Sequence, residues 1–187
     1  MKVKNLVASA FFIAAGIVLP LFFHIVGMGP VFLPMHISVL AGGFLLGGFR
    51  GFWIGFLTPI LSSLVTGMPP VYPPVAFIMM LELGTYGFLT GILGCKLKMN
   101  IFAALLLAMI GGRIVSGAAS WVMLPLFGLP NLPVWAPFTV GLITGFPGIL
   151  IQVVTVPALV VSVRYATAKG RGSSSQDPCC EERKDTR

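Results

Sequence analysis

Two ionised side chains, Glu82 and Arg113, stand inside long apolar stretches of this sequence. A charge in such surroundings is expensive to bury, and it is paired, faces water or serves a ligand. Both stretches read as helices. Glu82 is seven residues into the stretch that starts at Val75, which places it about 10 Å from that end at the helical rise. Arg113 is twelve residues into the stretch that starts at Ile101, about 20 Å along and so about 10 Å from the far end. If the two helices run in opposite directions, the charges share a depth. Two uses stay open: an ion pair that only fixes the bundle (or an arginine that snorkels outward), and a pair of groups facing a substrate.

Other polar residues extend the candidate site. Tyr86 is one turn from Glu82. Ser116, Gly117, Ser120 and Trp121 follow Arg113 at helical spacings and are expected on its face. His36, Tyr72, Asn131 and Trp135 fall in or beside three uncharged connections at the same end of the bundle. Tyr72, between two proline pairs, suits a lid or an interfacial anchor; Trp135 suits an anchor. Gln152 reads as a helix–helix hydrogen-bonding group deeper in the bundle. The expected substrate-facing set is Glu82, Arg113, Ser116, Ser120, Trp121, Tyr86, His36, Tyr72 and Asn131.

Enzyme chemistry finds no support. The sequence has no phosphate-binding GxxxxGK[ST], no HExxH and no GxSxG. Ser116 or Ser120 as a nucleophile lacks a histidine at matching depth. His24 and His36 lack the carboxylates a metal site wants, so no metal and no cofactor is expected. Cys95, Cys179 and Cys180 have neither the spacing of a disulfide framework nor that of a metal site and are expected to be inert.

The elements that position these residues follow from composition. Of 187 residues, 57% are hydrophobic and only 9% charged, far from a soluble domain. A bilayer-spanning helix takes about 20 apolar residues. Six such segments are expected, at about 5–23, 37–49, 52–66, 75–94, 101–124 and 135–163. Gly67 to Pro74, with four prolines, cannot be helical. Lys2 and Lys4 precede the first segment. Arg50 lies between the second and third, and Lys96 and Lys98 between the fourth and fifth. Arg164, Lys169, Arg171, Arg183, Lys184 and Arg187 follow the sixth. With six spans every basic connection falls on one side, which the positive-inside rule makes cytoplasmic, together with both termini. The expected fold is therefore an all-α membrane protein of six transmembrane helices. Residues 1–165 form the transmembrane domain, and residues 166–187 form a disordered cytoplasmic tail. The net charge of +7 reflects topology. The basic residues form no stripe among stacking aromatics, so nucleic acid is not expected as a partner.

Small residues recur four apart: Ala10/Ala14, Gly43/Gly47, Gly47/Gly51, Gly51/Gly55, Gly87/Gly91 and Gly141/Gly145. Such spacings let helices approach closely.

Val31 to Gly48 (VFLPMHISVLAGGFLLGG) resembles the first outer loop and second helix of the S components of energy-coupling factor (ECF) vitamin transporters. Pro59 to Pro70 (PILSSLVTGMPP) and Gly112 to Gly117 (GRIVSG) are similar to the same family. The resemblance implies a non-enzymatic binding subunit in the bacterial cytoplasmic membrane. It captures a vitamin or vitamin precursor outside. It then docks on a transmembrane coupling protein that carries two ATPases, as in an ABC-type transporter, and topples to carry the substrate inward. The family's AxxxA pattern in the first helix faces the coupling protein, and Ala10 and Ala14 match it. The alternative is a self-sufficient secondary transporter or channel for a small polar solute, but the chain is small for an inverted-repeat transporter and its halves show no repeat.

Overall fold

The computed structural model describes the backbone of residues 3–25, 34–67, 69–70, 72, 74–128 and 136–170. It describes their side chains except for 23–25, 136–147 and 167–170. The described residues form six α-helices. They are α1 (Val3–Ile25), α2 (Pro34–Leu46), α3 (Gly48–Thr66), α4 (Val75–Gly91), α5 (Ile101–Leu126) and α6 (Ala136–Gly170). A π-helical turn, Ile92–Lys96, extends α4.

Five segments are long and apolar enough to cross a membrane: Val3–Phe22, Gly48–Thr66, Val75–Lys96, Ile101–Leu126 and Gly148–Ala166. The chain is an all-helical, multi-pass membrane protein. The second helix is as short as its expected segment, 37–49, and is shifted toward the N-terminus. α2 has 13 residues, about 20 Å at the helical rise, shorter than the roughly 30 Å hydrocarbon core. It is also the most enclosed helix, with every residue but Ile37 buried. α1, α3, α4 and α6 surround it. Val39, Leu40, Ala41 and Phe44 of α2 form the core with Ile54, Leu83, Leu105, Val156 and Val160.

Helix boundaries shift where proline and glycine act. α2 begins at Pro34, so His36 lies in its first turn and not in the preceding loop. Proline's fixed φ and missing N–H suit the first position of a helix, which the loop assignment overlooked. The break between α2 and α3 is Gly47 alone, at φ 93° and ψ 172°, a region that only glycine occupies without strain. Phe49, Arg50 and Gly51 therefore belong to α3, and Arg50 is buried. α3 ends as expected at Thr66, where Gly67 adopts a left-handed φ of 73° and donates its N–H to the Ser63 carbonyl. α6 runs to Gly170, past the composition change near Ala166. Cys95, expected to be inert, is disulfide-bonded.

α3 and α4 meet backbone to backbone. A Cβ on Gly51 would meet the Gly87 carbonyl and the Gly43 Cα, and one on Gly87 would meet the Gly51 carbonyl. No side chain fits between α3 and α4 at the Gly51–Gly87 contact, which holds α2, α3 and α4 as a close-packed unit. That unit carries Glu82 and Tyr86.

Candidate functional site

α4 presents Glu82 and Tyr86 one turn apart toward α2 and α5. Both are buried, Glu82 at 5% and Tyr86 at 1% exposure. The Tyr86 hydroxyl donates to Glu82 Oε1 at 2.7 Å. Arg113 of α5 brings Nη1 to 3.3 Å from the same oxygen. The depth match expected from the helical rise is therefore a direct contact. One carboxylate oxygen accepts the phenol hydrogen bond and also meets the guanidinium, so both partners of Glu82 converge on a single atom.

α5 reaches Tyr86 because Gly112 has no side chain. A Cβ there would overlap the Tyr86 ring at Cε1 and Cδ1. Gly112 is a site-shaping residue that the motif reading used only as part of a resemblance. The signal for it was a glycine one residue before Arg113, the arginine deepest within its apolar segment.

His36 enters from α2. It is 3% exposed, its ring lies 5.5 Å from the Tyr86 ring at 53°, and its Nδ1 has no hydrogen-bond partner. Ser116 and Ser120 are also buried, and the Ser120 hydroxyl donates to the Ser116 carbonyl at 2.7 Å. The structure thus gathers Glu82, Tyr86, Arg113 and His36 and buries Ser116 and Ser120 on the same helix.

The remaining expected members stand apart. Trp121 is 54% exposed. It is nine residues from Gly112, about two and a half turns, so it points away from the face that meets Tyr86. Tyr72 is 65% exposed, with its ring 6.4 Å from that of Phe127, and Phe77 lies on the other contact of Phe127 at 6.3 Å. This small aromatic group covers the ends of α4 and α5 beside the proline-rich connection. Asn131 and Trp135 lie outside the described residues. Gln152 of α6, expected to bond between helices, is 1% exposed and its Nε2 has no hydrogen-bond partner.

Ala10 and Ala14 are both exposed on α1. With Val3, Val7 and Val18 they form a stripe on the side of α1 away from α2 and α3, while Gly16 on the opposite side packs against Thr58. The pattern leaves a small-residue face uncovered by the chain itself.

These features define a class: a multi-pass helical membrane protein with a polar cluster gathered in its interior. Residues 4–160 match the model of the family described as the substrate-specific component of ECF transporters. The match covers well over half of the chain, and the chain belongs to that family. The family consists of transporter components and not of enzymes, and membership implies association with an ECF module and a small-molecule substrate. No curated protein and no solved structure matches the chain.

Proposed function

We propose that this chain is the high-affinity binding subunit that captures a vitamin or vitamin precursor outside a bacterial cell and delivers it inward. Delivery uses a transmembrane coupling protein and two ATPases. The observation that carries the reading is the polar cluster His36, Glu82, Tyr86 and Arg113, drawn from three helices into an otherwise apolar bundle. Structural needs alone would be met by apolar packing, since a buried ion pair is a weak source of stability. The chain crosses the cytoplasmic membrane six times in this reading, with both termini inside. The basic residues near Lys4, Arg50, Lys96 and Arg164 support that orientation.

Docking on the coupling protein uses Ala10 and Ala14. Their exposure on the uncovered stripe of α1 supports this role. The test replaces each with leucine or tryptophan. Co-purification with the coupling protein and uptake are lost. Thermal stability and the small molecule that co-purifies with the isolated subunit, measured by mass spectrometry, are unchanged. Loss of that molecule with intact assembly would refute the docking face. Uptake in proteoliposomes lacking the ATPases would instead support a self-sufficient transporter.

A further inference from the structure

Among the described residues four buried polar atoms have no hydrogen-bond partner: Nδ2 of Asn5 and Oγ of Ser63, on half-buried residues of α1 and α3, and, on fully enclosed residues, Nδ1 of His36 on α2 and Nε2 of Gln152 on α6. His36 and Gln152 are 3% and 1% exposed. A buried amide or imidazole nitrogen without a hydrogen bond is unfavourable, and an apolar side chain of similar size would pack better. The sequence keeps both.

The two residues share a depth. Arg164 of α6 donates from Nη2 to the Phe44 carbonyl of α2 at 3.2 Å, which ties the ends of the two helices together. From Phe44 back to His36 is about 12 Å along α2, and from Arg164 back to Gln152 is about 18 Å along α6. Helical side chains lean toward the N-terminus, so the arginine's reach absorbs the difference of about 6 Å. Gln152 also belongs to the core-facing stripe of α6, between Ile149 and Val153 on one side and Val156 on the other, all packed on the core that includes Val39 and Leu40. His36 in turn touches Tyr86, which bonds Glu82. His36 thus borders the cluster from α2, and Gln152 stands at about the same depth on the core-facing side of α6.

The charge of the cluster is already balanced. Glu82 and Arg113 neutralise each other at 3.3 Å. A ligand bringing a full charge into this enclosure would leave one charge uncompensated in an apolar medium. Gln152 Nε2 is a donor and needs an acceptor such as a carbonyl, and the His36 ring supplies one further hydrogen-bonding nitrogen.

We infer that Gln152 and His36 are ligand contacts, and that the end of the ligand they hold is an uncharged, carbonyl-bearing polar group. The inference rests on the binding-subunit reading above. It adds α6 to the site and excludes a carboxylate as the buried end.

The test uses the full chain in detergent, as wild type, Gln152→Leu and His36→Phe. The second variant keeps a ring against Tyr86. Each is stripped of small molecules and its thermal unfolding recorded. It is then incubated with the filtered small-molecule fraction of a rich growth medium, washed and heated, and the released species are identified by accurate mass. The stripped variants unfold at the wild-type temperature or a few degrees above, about 2–4 °C for each unpaired group removed. Wild type retains a species that carries an uncharged carbonyl-bearing polar group, and each variant retains less than a tenth as much. A fall in unfolding temperature on Gln152→Leu would overturn the inference, because Gln152 would then be a paired structural group. Equal retention by the variants, or a retained species with no uncharged carbonyl group, would also overturn it while leaving the binding-subunit reading intact. Retention of nothing by wild type would overturn both.

Discussion

Arg113→Leu removes the cation that lies 3.3 Å from Glu82 Oε1 and leaves a carboxylate stranded among apolar helices. Breaking a buried ion pair by deleting one partner costs about 3–5 kcal/mol. The low end applies here. The Arg113 side chain retains 17% exposure, and the Tyr86 hydroxyl still donates to Glu82 at 2.7 Å. For a chain of this length about 3 kcal/mol corresponds to a fall in Tm of about 6–12 °C. Glu82→Gln combined with Arg113→Leu removes both charges and keeps an oxygen for Tyr86, so it recovers to within about 1 kcal/mol of wild type. The coupling between the two sites is then at least about 2 kcal/mol, with whatever Glu82→Gln costs alone added to it, well above the scatter of independent substitutions. The assay is thermal unfolding of wild type, both single variants and the double variant in the same detergent, with capture of the small molecule measured in parallel. A Tm change below about 2 °C for Arg113→Leu would refute the claim that Glu82 depends on this guanidinium. So would a double variant less stable than Arg113→Leu. Capture by the double variant at the wild-type level would show that the pair serves the bundle alone.

Gly112→Ala pushes a methyl into the Tyr86 ring. Overpacking of this kind costs about 1–3 kcal/mol, and because the ring is held by Glu82, small-molecule capture falls together with Tm. Unchanged capture would mean that the Tyr86 position is irrelevant to binding. Gly47→Ala places a side chain at φ 93° and ψ 172°, which costs about 2 kcal/mol and lowers Tm without changing what the surviving protein captures. A Gly47→Ala protein as stable as wild type would show that the break between α2 and α3 lies elsewhere.

Depth along a helix proved readable from the sequence because the helical rise is fixed. Counting seven residues from Val75 and twelve from Ile101 was enough to bring Glu82 and Arg113 together. Direction around a helix was less readable. Trp121 was grouped with Arg113 through Gly117, one turn away. The face that meets α4 is centred on Gly112 and Ser116, and a drift of one residue, about 100°, turns the indole outward. His36 was recognised as a polar group at the right end but assigned to a loop. Its neighbours, Pro34 among them, look like loop residues until proline is allowed at a helix start. For Gln152 the lack of a partner at Nε2 was not legible, for a different reason. Sequence shows that an amide lies within a span; whether a partner faces it depends on α2, more than a hundred residues away.

The short α2 draws these observations together. Its last carbonyls cannot be left bare within a bilayer, where each unpaired group costs several kcal/mol. Arg164 bonds the Phe44 carbonyl at 3.2 Å, and Arg50 approaches the Leu46 carbonyl at 3.4 Å. Arg164 and Arg50, two of the basic residues on which the proposed orientation rests, thus also close the C-terminal end of α2. If α2 is one of six passes, its 13 residues leave about 10 Å of the hydrocarbon core to be made up. If the proposed orientation also holds, the arginines keep its C-terminal end near the inner face and most of that shortfall appears at the other end. His36, in the first turn, then lies well below the outer surface and at the level of Tyr86 and Glu82. A full-length second helix would carry its first turn up to the interface and leave Tyr86 facing aliphatic side chains. The shortness of α2 is therefore what admits a third helix's polar group to the cluster, and lengthening it would separate His36 from the ion pair.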